Sequence, residues 1–302
     1  MAAEEKYLLS YVISTYNRLP FLKRTLERLL KNLGVDEEIV IVDGDSCDGT
    51  KEYLQQLFSD GKIHQFISEP DRNQAHGWNK AMLISKGRII KKIIDDDVFC
   101  YKSIRDCKEY MLNNPEVDVI ISNDLHSSIS QPAEIMTASR LVQYLKWKNK
   151  VIPSFTFSDV HQLIRKDALS LIGLYNTSYV MIDWEYSLRI SYLKAKIVYF
   201  TGFNALSVAH SNTVSYNKNL NLIKEQGKRG AVFYEYAGDQ SEINNWSKIK
   251  IAIGKRIFKN KVSTEILKAG MPDYDNIYES FYSYIDNLNG NNSFIFIHPD
   301  FD

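Results

Sequence analysis

The segment "IIDDDVF" (93–99) sets three carboxylates, Asp95, Asp96 and Asp97, directly after an isoleucine-rich run. Side by side they repel one another, and a cation among them relieves the repulsion. Carboxylates at i and i+2 at a strand end can share a hard divalent ion. Mg2+ or Mn2+ held this way keeps open positions for phosphate oxygens. Asp is also common in solvated loops and at helix N-caps, so the run taken alone leaves both readings open. Asp183, in "MIDWEYSLRI", opens a helical pattern and on spacing fits an N-cap aspartate. Trp184 beside it fits the core, or a ring that stacks on a ligand.

The elements that must hold these residues follow from the hydrophobic pattern. "YLLSYVIS" (7–14) is a short β-rich run. From Leu22 the apolar spacing becomes helical through Leu26, Leu29 and Leu33, with Pro20 near the start and Gly34 just past the end. "EEIVIVDG", "KIHQFIS" and residues 88–94 read as further strands, with "TKEYLQQLF" and "HGWNKAMLISKG" as the helices between them. "YKSIRDCKEYMLNN" then reads as a helix and "VDVIIS" as a strand. Strands separated by helices of this length predict parallel pairing with right-handed crossovers. The first four strands end on "STYNR", "DGDSCDGT", "SEPDRN" and "DDD". Ligands bind beyond the carboxyl ends of such strands, which moves the aspartates from a chance loop to a site. The second half is less regular. A strand, helix and turn are expected in "HQLIRKDALSLIGLYN", a helix in "IDWEYSLRISYLKA", a strand in "KIVYF", and a loose tail with an apolar patch in "NLNGNNSFIFIHPDFD".

Bulk composition narrows the classes. Lys+Arg and Asp+Glu balance at 37 each in 302 residues, so no net field draws the chain to nucleic acid. Three cysteines, Cys47, Cys100 and Cys107, form no CxxC pair and fit a reducing compartment. The acidic start has the wrong polarity for a secretory signal. No apolar run reaches the roughly 20 residues of a membrane span. A soluble, cytoplasmic protein is expected.

"VISTYNR" (12–18), "IVDGDSCDGT" (41–50), "ISEPDRNQAHGWNKAMLISKG" (67–87) and "IIDDDVF" (93–99) resemble, in order and spacing, the motifs of the family 2 glycosyltransferases with the GT-A fold. "HQLIRKDALSLIGLYN…IDWEYSLRI" (161–190) is similar to the acceptor-side segment of that family. Each motif is weak singly, and their common register is specific. The resemblance implies an α/β fold: a single Rossmann-like GT-A domain over 1–215, with a mostly parallel central sheet flanked by helices. Residues 1–125 would form its nucleotide-sugar-binding half and 126–215 its acceptor-binding half, followed by a mostly helical extension over 216–302. It implies an inverting transfer of a hexosyl or N-acetylhexosaminyl group from a nucleotide sugar, usually a UDP-sugar. The acceptor would be a hydroxyl of a saccharide or lipid-linked molecule, in cell-surface polysaccharide synthesis, with Mn2+ or Mg2+ as cofactor. In that frame Thr15, Tyr16 and Arg18 line the nucleotide pocket. Asp43 faces the base, Arg72 lies near uracil or diphosphate, and Asp95 lies beside ribose and metal. Asp97 ligates the metal, Asp96 is ambiguous by one step of register, and His210 completes the metal or diphosphate shell. Asp183 is the general base with Glu185 as the fallback, and His161 and Gln162 line the acceptor groove.

The chain departs from the family in two places. Asp43-Gly44 stands where many relatives carry two consecutive Asp, so base recognition rests on Asp43 alone or on Asp45. Asn73-Gln74 stands where many have a glycine. A non-catalytic sugar-nucleotide-binding protein on the same fold is the alternative, because fold does not fix activity. The presence of both Asp97 and Asp183 favours the enzyme. A nucleotidyltransferase would want a glycine-rich loop after the first strand, and "STYNRLPF" has no glycine. "WSKIKIAIGKRIFKNK" (246–261) reads either as an amphipathic helix for a peripheral contact at the inner face of a membrane, or as a strand with a solvated lysine face.

Overall fold

The computed structural model describes residues 6–210, 220–238 and 274–299. Segment 246–261 lies outside them. The first half alternates as its pattern predicts: β1 (Leu9–Thr15), α1 (Leu19–Asn32), β2 (Glu37–Asp43), α2 (Thr50–Ser59), β3 (Gln65–Ser68), α3 (Gln74–Ile84) and β4 (Ile89–Lys92). A two-residue strand β5 (Val98–Phe99) precedes α4 (Tyr101–Asn113) and β6 (Val119–Ser122). The face of α1 that buries Leu22, Leu26 and Leu29 is the one expected, and Pro20 sits in its first turn. The helix of residues 76–87 ends earlier than Gly87, at Ser85, whose hydroxyl donates to the carbonyl of Met82.

The second half supplies β7 (Asp124–Ser128), β8 (Gln131–Ala138), α5 (Leu141–Lys148), a 3-10 turn at Asp159–His161, β9 (Gln162–Arg165), the single turn α6 (Leu169–Ile172), α7 (Ile182–Tyr192), β10 (Ile197–Phe200) and β11 (Ala205–Ala209). Beyond these lie α8 (Leu220–Phe233), α9 (Tyr274–Asn291) and β12 (Phe296–Ile297). The main sheet has eight strands in the order β12-β10-β6-β9-β4-β1-β2-β3. The pairs of β1 with β2 and β4, of β2 with β3, and of β6 with β10 are parallel. Strand β9 runs antiparallel between β4 and β6. The sheet is buried on both faces, which is why its strands read as continuous apolar runs.

Two features depart from expectation. A second sheet, β5-β11-β7-β8, stands at the end of β4 and forms a wall beside the strand ends. The final segment is not a loose tail: β12 pairs antiparallel with β10 at the edge of the main sheet, and Phe296 stacks on Tyr110 and Phe200. Helix α9 buries Tyr278, Phe281, Tyr282 and Ile285 in the same cluster as Val98, Leu125 and Leu206 of the second sheet. Outside, Arg24 of α1 pairs with Asp275 at 2.6 Å, and Arg28 with Glu279 and Asp286 at 3.6 and 3.5 Å.

Candidate active site

The carboxyl ends of β1 and β4, the loops after β2 and β3, the start of α7 and the wall of β7 and β8 enclose a cleft of about 1350 Å³. Two residues at its rim hold left-handed backbone without being glycine, Asn17 (φ 52°) after β1 and Asp45 (φ 69°) after β2. Such conformations cost free energy and persist where the surroundings over-determine them. Here Asn17 accepts the Cys47 N–H at 2.8 Å, and the Asn17 N–H donates to Ser46 Oγ at 2.8 Å, stitching the two loops together.

The three aspartates form a tight turn between β4 and β5, and each is fixed by a different element. Thr25 of α1 donates its hydroxyl to the Asp95 carbonyl at 2.8 Å. Tyr278 of α9 donates to the Asp96 carbonyl at 2.7 Å. The Val208 N–H of β11 donates to Asp97 Oδ1 at 2.8 Å. Replacing Tyr278 by Phe removes one buried hydrogen bond. It is expected to cost about 1 kcal/mol, read as a lower midpoint of urea unfolding with an unchanged slope.

Despite their charge the three side chains are only 3–5% exposed. Arg18 supplies the cation: Nε lies 2.9 Å from Asp95 Oδ1, and Nη2 pairs with Asp96 Oδ2. Thr15 donates to Asp95 Oδ2 at 2.8 Å, and His210 Nε2 lies 2.7 Å from Asp96 Oδ2. Phe21 stacks on the His210 ring at 4.7 Å and carries the Arg18 guanidinium over its face at 5.5 Å. Burial pushes the Asp95 carboxyl up to about 7 against the opposing pull of Arg18. Burial and the adjacent Asp96 raise Asp97 well above the usual carboxylate range. The cluster is short of positive charge. Among the described residues no three metal-ligating side chains converge into a closed cage. Mg2+ and Mn2+ do not require one, since one or two carboxylates plus phosphate oxygens and water suffice. The hard oxygens of Asp96 and Asp97, with the imidazole of His210, fit that partial shell.

The remaining expected residues divide. Thr15, Tyr16, Arg18, Asp95, Asp96, Asp97 and Asp183 line the cleft. Asp43 lies beneath the floor, fully buried, where its carboxylate accepts the Ser46 N–H and hydroxyl and, at 2.7 Å, the Ser68 hydroxyl. Asp45 lines the cleft and pairs with Lys51 at 3.1 Å. Arg72 is exposed on the loop outside, and Asp71 beside it turns inward, paired with Lys80 at 2.7 Å. Asn73 explains its own departure from the family. Its Oδ1 accepts the His76 N–H at 3.1 Å, capping α3, and its Nδ2 donates to the Thr177 carbonyl at 2.7 Å.

Asp183 is the second residue of α7, and the N-cap position belongs to Met181. It stands half-buried at the cleft, where the helix N-terminus favours a carboxylate. Glu185 is locked elsewhere: it chelates Arg189 at 3.0 and 2.9 Å and accepts the Tyr234 hydroxyl of the α8 segment at 2.5 Å. Trp184 packs on Gly230 of α8, where a Cβ would come within 2.6 Å of the ring, so it belongs to the packing. His161 and Gln162 are buried behind the cleft lining. Burial holds His161 well below its ordinary value, and its Nε2 lies 3.7 Å from Asp124.

Sequence reading missed Lys92, Asp159, Tyr278 and the wall residues of β7 and β8. One signal was available: two adjacent lysines, Lys91 and Lys92, in an otherwise apolar central strand.

Residues 10–173 match the sequence family described as Glycosyl transferase family 2. That span is more than half of the 302 residues. The chain belongs to this family. Its family 2 relatives include a putative teichuronic acid biosynthesis glycosyltransferase, TuaG, of Bacillus subtilis, 30% identical over 108 residues, or 35% of this chain and 43% of TuaG. Another is the UDP-Glc:alpha-D-GlcNAc-diphosphoundecaprenol beta-1,3-glucosyltransferase WfgD of Escherichia coli, 26% identical over 110 residues, 36% of this chain and 43% of WfgD. The matched region spans less than half the length of these relatives. Among solved structures, S. aureus TarS 1-349 in complex with UDP-GlcNAc has a TM-score of 0.60 at 16% identity, over 78% of this chain and 68% of that one. The mannosyltransferase PcManGT from Pyrobaculum calidifontis, in complex with GDP-Man and Mn2+, has a TM-score of 0.54 at 15% identity, over 96% and 89%. These likenesses show the fold, the GT-A arrangement that the sequence motifs imply.

Proposed function

We propose that this family 2 protein is an inverting, metal-dependent glycosyltransferase that moves a sugar from a UDP-sugar to a hydroxyl of a saccharide or lipid-linked acceptor, in cell-surface polysaccharide synthesis. The single observation that carries the reading is one cleft with Asp95–Asp97 at a strand end and Asp183 at a helix start. The relatives' names, a teichuronic acid enzyme and a diphosphoundecaprenol glucosyltransferase, support the substrate class. Among the described residues no helix is long and apolar enough to cross a membrane.

A divalent ion bound by Asp97, with Asp96 and His210 beside it, would neutralise the negative charge that the departing diphosphate gains. The chain does the rest. Thr15, Tyr16 and Asp45 bound the nucleotide end of the cleft. Arg18, anchored on Asp95, stands beside the diphosphate position as a fixed cation. Asp183 takes the acceptor's proton as its oxygen attacks C1 from the face opposite the leaving group, which inverts the configuration. Proton loss comes late, when that oxygen has become acidic, so a carboxylate is a sufficient base. Residues of β7 and β8 form one side of the cleft. Incubating the protein with UDP-sugars, Mn2+ and candidate acceptors should release UDP only when donor and acceptor match. No UDP release across hexosyl and N-acetylhexosaminyl donors, with binding intact, would favour the non-catalytic reading.

The electrostatics predict a pH signature. The folded-state carboxyl of Asp95 lies near 7, above its ordinary 3.8, so the folded protein holds an extra proton between those values. The stability that this proton brings is present at low pH and lost as pH rises through about 7. Asp97, the proposed ligand, is raised in the same direction and must lose its proton to hold the ion, so Mn2+ gains affinity as pH rises. The Mn2+-induced rise in melting temperature should therefore be larger at about pH 7.5 than at about pH 5.5. An equal or smaller rise at the higher pH contradicts the assignment.

A further inference from the structure

We propose that the ion pair of Lys92 and Asp159 on the cleft floor is the subsite that recognises the donor sugar, and that it takes a neutral hexopyranose in preference to a uronate. The inference rests on the proposed transfer from a nucleoside-diphosphate sugar.

Lys92 ends a central strand and is 6% exposed. Its Nζ lies 2.5 Å from Asp159 Oδ2, and the buried hydroxyl of Tyr175 donates to the same oxygen at 2.9 Å. The rings of Trp78 and Tyr175 cover the ammonium at 4.4 and 5.1 Å. Burying two opposite charges in a sheet seldom stabilises a fold better than apolar packing does. This pair is enclosed by aromatic rings on the protein side while both charged residues line the cleft.

Lys92 and Asp159 line the same cleft as the acidic turn Asp95–Asp97 and as Asp183, and Lys92 ends the strand that leads into that turn. In an inverting displacement the anomeric carbon lies between the leaving phosphate and the attacking oxygen, and the sugar ring lies over the floor that joins them. A paired ammonium and carboxylate offer a donor and an acceptor side by side, matching adjacent hydroxyls that can each donate and accept. A uronate would instead bring a further negative charge into a cleft whose carboxylates already outnumber its cationic side chains.

The test is calorimetric titration, with Mn2+ present, of the wild-type protein and Asp159→Asn against UDP, UDP-glucose, UDP-galactose and UDP-glucuronate. The wild type should bind at least one of the two neutral sugars about tenfold or more tighter than UDP-glucuronate. Asp159→Asn should lose about tenfold for that sugar while keeping its affinity for UDP. Equal or tighter binding of UDP-glucuronate by the wild type overturns the proposal, and this arm stands even if the variant does not fold. Parallel loss of UDP and UDP-hexose in a folded Asp159→Asn also overturns it, since the residue would then shape the whole cleft. Failure of the wild type to bind UDP itself is a different result: it removes the donor reading, and the subsite falls with it.

Discussion

Asp183→Asn should retain UDP-sugar binding and lose transfer, with kcat falling by about 10²–10⁴-fold, the range in which positioned bases contribute. Asparagine keeps the size and the hydrogen-bonding reach of the side chain but cannot take a proton. The variant leaves the start of α7 intact, because the N-cap is Met181 and the residue is half-buried at the cleft. The loss should appear in kcat and kcat/KM alike, since proton removal belongs to the transition state. Glu185 offers no relief, because its carboxylate is held by Arg189 and Tyr234. Substituting Glu185 should mainly lower stability. A folded Asp183→Asn with wild-type turnover would move the base elsewhere in the cleft.

The choice between Asp183 and Glu185 shows where sequence was informative. Residues two apart on a helix point about 200° from one another, so only one can face a given cleft. The spacing states that much without saying which. The structure puts Asp183 on the cleft and holds Glu185 away from it with Arg189 and with Tyr234, which follows α8 and lies beyond the matched family region. The first four strands were legible because parallel strands buried on both faces leave long apolar runs. The second sheet was not, for a physical reason. β5 is two residues long, and β7 and β8 read "DLHSS" and "QPAEIMTA", where one face meets solvent or the cleft and apolar periodicity fades. Asp43, expected to face the base, lies beneath the floor, where its carboxylate accepts from Ser46 and Ser68. A strand alternates its faces, so a one-residue choice of register decides between a site residue and a support. Tyr278 gave no local signal at all. Its role exists only because α9 returns, some 180 residues later in the chain, to the turn that carries Asp96.

Asp97→Ala should abolish the metal-dependent part of UDP binding and leave the fold standing. Asp97 accepts the Val208 N–H at 2.8 Å, so the alanine variant loses one buried hydrogen bond, a cost of about 1–3 kcal/mol. Against this, removing the carboxylate relieves repulsion with Asp96, the interaction that, together with burial, raises the Asp97 carboxyl. The two effects oppose each other in stability, whereas for binding they do not. Under the proposed assignment the ion loses its ligand Asp97, and Arg18 is left as the principal charge for the diphosphate, already committed to Asp95 and Asp96. Titration of UDP with Mn2+ should give heats in the wild type that vanish in Asp97→Ala, while titrations in EDTA should be alike for both proteins. Unchanged Mn2+-dependent heats in the variant would show that the acidic turn is not where the ion sits. The carboxylates would then be counter-ions to Arg18 alone, and the diphosphate would have to be stabilised by another part of the cleft.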